Sequence, residues 1–294
     1  MKKLTLFAAA SLMLALLASC KPGTDDPAGP DEPAKPEVLT AKDNLVLHFS
    51  FEANEAPGTG VAFVESKGSA SLDQKGFIGK GWTNTSGNNL TQAYTKYSVA
   101  SSNALSGVKD ITFTAWVKLI ESCSKGAILS LNGMPSGFDW PLFIAYFDNS
   151  SVGDDGVKSQ QVNGRLVFHD GAGNEQNLWL DTWDPAFAKY DSWFQFAFTY
   201  QHDSGDWALY VDGVQVKTAN FEPKIEFSNL LTASTNALYV GGWASFIEGA
   251  STQDWQSYFA GSMDEIRIYN RVLSESELQA LRKEELVISL DEAE

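Results

Sequence analysis

The chain has 294 residues, 44% hydrophobic and 20% charged, which permits a sizeable core in one or two domains and excludes wholesale disorder. Aromatics reach 12%, with 18 Phe, 9 Trp and 9 Tyr against 4 Met, a mix that packs well on pleated strands. Twenty-one Lys and Arg against 37 Asp and Glu give −16, a surface that repels phosphate backbones and anionic lipid and so argues against nucleic acid as a partner.

The N-terminus reads as an address. Two lysines precede an apolar run from Leu4 to Leu17, too short to span a bilayer and right for a signal-peptide core. The run ends in Leu17-Ala18-Ser19-Cys20, which resembles the lipobox of bacterial lipoproteins. That resemblance implies cleavage after residue 19, lipid on Cys20, and membrane attachment through the lipid alone. Removal of residues 1–19 takes away Lys2 and Lys3 and leaves −18, and Cys123 is then the one other thiol. It is expected to be a small buried hydrophobe. Residues 20–40 hold five of the ten prolines and five carboxylates with few large apolar side chains, so they are expected to be an extended tether. Asp25-Asp26 loosely resembles the acidic signals of lipoproteins sent to the cell surface, a resemblance that implies an outer-membrane lipoprotein, surface-exposed or, as the alternative, facing the periplasm.

From Ala41 to about residue 290 the text alternates strands and turns. Leu45, Leu47, Phe49 and Phe51 share one face of a strand. Ile111, Phe113, Ala115 and Val117 do the same, and so do Phe194, Phe196, Phe198 and Tyr200. Leu142–Phe147, Arg165–His169, Ala237–Gly241 and Phe259–Ile268 read as further strands. Asp212-Gly213 between two apolar runs predicts a tight hairpin. About a dozen strands at this spacing predict a sandwich or barrel. Ser274 followed three residues later by Glu277 predicts a capped helix with Leu278 and Leu281 inward, fading before Val287 into a solvated acidic tail.

The blocks LVLHFSFE, ITFTAWVK, WFQFAFTYQHDSGDWALYVDGVQV, ALYVGGW and FAGSMDEIRIYNRVLSESELQAL occur in that order. Together they resemble the laminin-G-like jelly rolls of the concanavalin A-like lectin/glucanase superfamily, over about residues 44–284. The resemblance implies an all-β sandwich of two antiparallel sheets with one short C-terminal helix, one sheet concave and ligand-reading loops along its rim. It names no ligand, since this superfamily hosts lectins, hydrolases, lyases and adhesive modules.

Catalytic patterns are missing. Jelly-roll glucanases place Glu-x-Asp-x-x-Glu on one strand so that alternate carboxylates converge on a sugar bond, and no Glu here is followed two residues later by Asp. No Gly-x-Ser-x-Gly or His-Glu-x-x-His occurs, and His48, His169 and His202 read as structural or exposed. The expectation is a module without catalytic residues. The alternatives are a glycan-cleaving enzyme with unrecognised carboxylates and a protein-adhesion module.

In many related jelly rolls a Ca²⁺ ties the first strand region to the last, and Glu52 and Asp264 match those positions. The competing reading has Asp264 capping a turn and Glu52 solvated. The acidic loop at Asp148, Asp154 and Asp155 fits no calcium pattern. For carbohydrate, Trp140, Trp179, Trp183, Trp243 and Trp255 lie in polar or turn-rich text beside Asp, Asn or Gln, where flat rings stack on sugars and polar groups meet hydroxyls. A small satellite core beneath a loop is the competing reading for each of them. Trp116, Trp193 and Trp207 sit in strand blocks and are expected to pack.

Overall fold

The computed structural model describes residues 37–52, 56–120, 125–132, 141, 143–152, 154–169, 175–221, 237–249, 251 and 253–291. Cys20, the tether before residue 37, Cys123 and Trp140 lie outside them. The described residues belong to one compact unit that begins at Pro36.

Alternation of apolar side chains produces fifteen strands among the described residues. In chain order they are β1 (Leu45–Phe49), β2 (Val61–Gly68), β3 (Ala70–Lys75), β4 (Lys80–Asn84), β5 (Ala93–Val99), β6 (Ile111–Leu119), β7 (Gly126–Leu131) and β8 (Phe143–Val152). There follow β9 (Lys158–His169), β10 (Glu175–Asp184), β11 (Trp193–Gln201), β12 (Asp206–Val211), β13 (Val214–Asn220), β14 (Ala237–Val240) and β15 (Gly261–Tyr269). One sheet runs β13-β12-β11-β6-β15-β4-β3 with β1 also on β15, and the other runs β10-β9-β8-β7-β14-β5-β2. All of these pairings are antiparallel, and consecutive sheet neighbours are often distant in sequence, as a jelly roll requires.

The two inner faces meet in an aromatic core. Phe113 stacks on Phe198 at 5.2 Å, and Phe143 reaches across from the other sheet to Phe198 at 5.8 Å. Gly164 of β9 sits over that ring, and a Cβ there would lie 3.1 Å from it, so glycine lets the sheets close at this point. The Asp212-Gly213 hairpin joins β12 to β13 with both residues at positive φ, 51° and 76°.

Two short helices complete the unit, α1 (Ala244–Ile247) and α2 (Glu275–Asp291). Ser274 Oγ accepts from the Glu277 N–H at 3.3 Å while Glu277 accepts from the Ser274 N–H at 2.8 Å, the reciprocal cap expected from the sequence. The expected fade before Val287 is corrected, because α2 runs on to Asp291. Its far end is held by side chains. Glu284 accepts from Leu39 N–H, Thr40 N–H and Thr40 Oγ1 at 2.9–3.0 Å. Glu285 was expected in a solvated tail and is instead fully buried on the outer face of the eight-stranded sheet. Its carboxylate accepts from Trp116 Nε1 and Gln195 Nε2, each at 2.7 Å, and pairs with Arg267. Leu278, Leu281 and Glu285 form one helical stripe, with the carboxylate taking the place of a third apolar residue.

Candidate carbohydrate-binding face

Two regions collect the residues singled out in the sequence. The first lies on β15, where β1 pairs with Ile266–Tyr269 and β4 with Ser262–Met263, leaving Asp264 and Glu265 between them. The chain bulges there and Glu265 takes φ 50°, the left-handed region that costs a non-glycine residue energy. The Gly76–Lys80 turn fills the gap. Asp264 Oδ2 accepts from the Phe77 and Ile78 N–H groups at 2.9 Å and Oδ1 from the Glu265 N–H at 2.8 Å. Glu52 Oε1 accepts from Lys80 N–H at 2.7 Å, over Gly79, whose φ of 47° and missing Cβ leave room for the carboxylate. Glu52 and Asp264 thus meet on one turn, which Asp264 caps as the competing reading had it.

Burial, then the neighbouring Glu265 charge, pushes Asp264 well above the usual carboxylate range, with Glu52 adding to the rise. Burial also acts on Glu265, but Arg267 and His48 outweigh it and hold Glu265 below its ordinary value. His48 Nε2 lies 2.8 Å from Glu265, which makes this histidine a structural partner of the bulge. Among the described residues, no group of three or more His, Cys, Asp or Glu side chains is placed to hold a metal.

The second region is the outer face of the seven-stranded sheet. Val162, Gly164 and Leu180 point into the sandwich, so strand alternation sends Gln161 and Asn163 of β9, and Asp181 and Trp183 of β10, outward. Trp179 and Trp183 were read as turn-rich positions and both lie within β10. Trp183 is 46% exposed, pairs in register with Gln161, and stands beside Asp181, which accepts from Gln161 Nε2 at 3.0 Å. Trp179 occupies a register position opposite Arg165.

Toward β7 the same face becomes aromatic. Trp243 is fully buried and its Nε1 donates to the Lys125 carbonyl at 2.6 Å. It meets Tyr146 edge-on at 4.8 Å and Trp255 at 5.3 Å, which makes Trp243 the middle of a satellite core and not a ring at the surface. Trp255 is half-buried, with Lys125 Nζ 5.1 Å from its ring, and Lys125 pairs with Asp148 at 2.9 Å.

Asn163 was not singled out in the sequence. It is fully buried in register between Tyr146 and Asp181, and neither its Nδ2 nor its Oδ1 has a hydrogen-bond partner. An unpaired amide costs about 1–3 kcal/mol, so this one stands out on a face otherwise well satisfied. The signal available in the sequence was the polar outward alternation Gln161, Asn163 opposite Asp181, Trp183, which is weak where inward positions include a glycine.

No curated protein matches the chain. Solved structures similar to it include the receptor-binding domain of a botulinum neurotoxin mosaic serotype C/D. That likeness has 11% identity and a TM-score of 0.52, covering 83% of this chain and 51% of that one. The IT-sialidase CBM40 of Ruminococcus gnavus bound to α2,3-sialyllactose is similar at 20% identity and TM-score 0.44, over 60% of this chain and 83% of that one. Domain 4 of the arabinanase AbnA from Geobacillus stearothermophilus, in complex with arabinotriose, is similar at 16% identity and TM-score 0.47, over 81% and 98%. These identities speak to the fold alone. The Laminin_G_3 family model, described as the concanavalin A-like lectin/glucanases superfamily, matches residues 91–279, more than half of the sequence, and the chain belongs to that superfamily.

Proposed function

We propose that this protein is a cell-envelope lipoprotein whose jelly roll binds carbohydrate without cleaving it, through the outer face of the seven-stranded sheet. The observation that carries the reading is Trp183, an exposed indole in register with Gln161 and beside Asp181, on a face whose other end carries the half-buried Trp255. An apolar ring flanked by an amide and a carboxylate meets both the C–H faces and the hydroxyls of a sugar. Membership of a lectin/glucanase superfamily supports the ligand class, and the missing Glu-x-Asp-x-x-Glu pattern supports binding without turnover. Retention on a glycan array is the expected result. Conversion of a retained glycan to product would overturn the non-catalytic reading, and retention of none would overturn carbohydrate binding.

Cys20 would carry the lipid and hold the domain at the outer membrane, supported by the Leu17–Cys20 motif and the Pro-rich stretch after it. Replacing Cys20 by Ser should release folded soluble protein, and persistent membrane attachment would refute the lipid.

Calcium would be held by Glu52 and Asp264 together with backbone carbonyls, which are hard oxygen donors. A cavity of about 330 Å³ lined by Ser50, Glu52 and Glu265 gives it space. Saturation at a hundred times Kd would stabilise the domain by about 2.7 kcal/mol. A melting midpoint unmoved by chelation of metal-loaded protein would remove this site.

A further inference from the structure

We infer that the outer face of the seven-stranded sheet takes a neutral oligosaccharide laid across its strands, with Trp183 and Trp255 stacking its two ends. The inference rests on the glycan reading above and adds the direction, length and charge class of the ligand.

The register sets the direction. Gly126 pairs with Phe147, Phe147 with Val162 and Val162 with Thr182, all in line across β7, β8, β9 and β10. Their outward neighbours therefore form a row of Lys125, Asp148, Gln161 and Trp183, with Trp255 seated over Lys125 at one end. The next row is Ala127, Tyr146, Asn163 and Asp181. Three strand spacings separate Lys125 from Trp183, about 14 Å, the span of roughly three sugar rings. Aromatic rings thus stand at the two ends of the row and polar side chains between them. A chain lying along a strand would meet only one of the two indoles.

The charges set the class. Lys125 and Asp148 neutralise each other at 2.9 Å. Asp181 adds one negative charge. Among the described side chains of the two rows no excess positive charge remains to hold a carboxylate or sulfate, and the chain as a whole carries −16. Hydroxyls suit the row better, since Asp148 and Asp181 accept while Gln161 both donates and accepts. The Asn163 amide of the second row, buried with donor and acceptor both unpaired, has the pairing capacity of a water that bridges to a sugar hydroxyl.

The test uses the full chain with Cys20→Ser for solubility. An array of neutral and acidic glycans, including lactose beside α2,3-sialyllactose, identifies the retained sugars, and a length series of a retained sugar is then titrated. We expect only neutral glycans to be retained, with affinity rising up to about three rings and then levelling, and with little dependence on salt. Trp183→Ala and Trp255→Phe should each weaken binding at least tenfold at an unchanged melting midpoint, and Gln161→Ala should weaken it severalfold. Val287→Ala, an exposed change on α2, should leave binding unchanged. Retention of sialylated or uronic glycans overturns the charge class, and affinity already maximal with one ring overturns the crosswise direction. Binding untouched by both Trp variants and by Gln161→Ala overturns this face while leaving carbohydrate binding in place. Retention of no glycan at all overturns both.

Discussion

The eight-stranded sheet has its outer face closed by α2, whereas the seven-stranded sheet is covered over Tyr146 and Ile144 and opens at Trp183. Charged groups on the closed face pair with one another, although Thr114 Oγ1, Gln195 Oε1, Arg267 Nε and Tyr269 Oη stay unpaired there. Glu285 accepts from Trp116 and Gln195 and pairs with Arg267, which also pairs with Glu265. On the open face, Gln161 and Asp181 bind each other at a half-buried surface and Trp183 has nearly half its area in water. The same alternation of strands therefore yields a covered face where α2 arrives, and an exposed indole beside polar side chains where it does not. Exposed aromatic area beside polar groups is where the proposed binding is placed, while buried charge holds α2 on the sheet.

The sharpest way to break this contrast is to unpin α2. Glu285→Ala leaves the Arg267 guanidinium buried beside Glu265 alone and strips two donors of their acceptor. It should cost about 3–5 kcal/mol in denaturant unfolding. Trp243→Ala should cost a similar 3–5 kcal/mol by emptying the satellite core, whereas Trp183→Ala should change stability by less than about 0.5 kcal/mol. Equal costs for the two tryptophans would erase the distinction between support and surface, and a Glu285→Ala loss below about 1 kcal/mol would mean that α2 is held by its leucines.

The middle of the scale belongs to Asn163, where stability and binding should separate. Its amide forms no internal hydrogen bond, so Asn163→Leu removes an unpaired buried dipole at similar volume. Free protein should gain about 1 kcal/mol, while affinity for a retained glycan should fall. A loss of stability on that substitution would show the amide to be satisfied in solution by ordered water.

How much of this could be read in advance depends on where each partner lies. β1, β6 and β11 were legible because their inward residues alternate locally, and the Asp212-Gly213 turn and Ser274–Glu277 cap are contained within a few residues. β2 and β3 escaped because they lie at the sheet edges with mostly exposed or half-buried side chains, and VAFVESKG carries no clean alternation. The burial of Glu285 could not be read from its neighbours. Its partners Trp116 and Gln195 are 169 and 90 residues away, and only the folded sheet brings them under the helix. Trp183 and Trp243 looked alike for the same reason. Each stands in polar text, and exposure is decided by whether Tyr146 and Trp255 arrive beside it, as they do for Trp243 alone.

The smallest effect expected is at the start of α2, and it is a pH effect. The Arg271 side chain, with the Ser274 N–H and hydroxyl, draws the Glu277 carboxyl down to about 2 against an ordinary 4.5. A folded value below the unfolded one means that the contribution is fully present above about pH 4.5 and fades as pH falls toward 2. The pair is about one-third exposed on both sides, so solvent screening keeps the contribution below roughly 1 kcal/mol. Glu277→Gln keeps the reach back to the Ser274 N–H and removes the titration. The variant should therefore lose a few tenths of a kcal/mol at neutral pH and converge on the parent below about pH 2. Parallel stability curves across that range would place the acid sensitivity of this domain elsewhere, with the buried carboxylates of β15 the next groups to substitute.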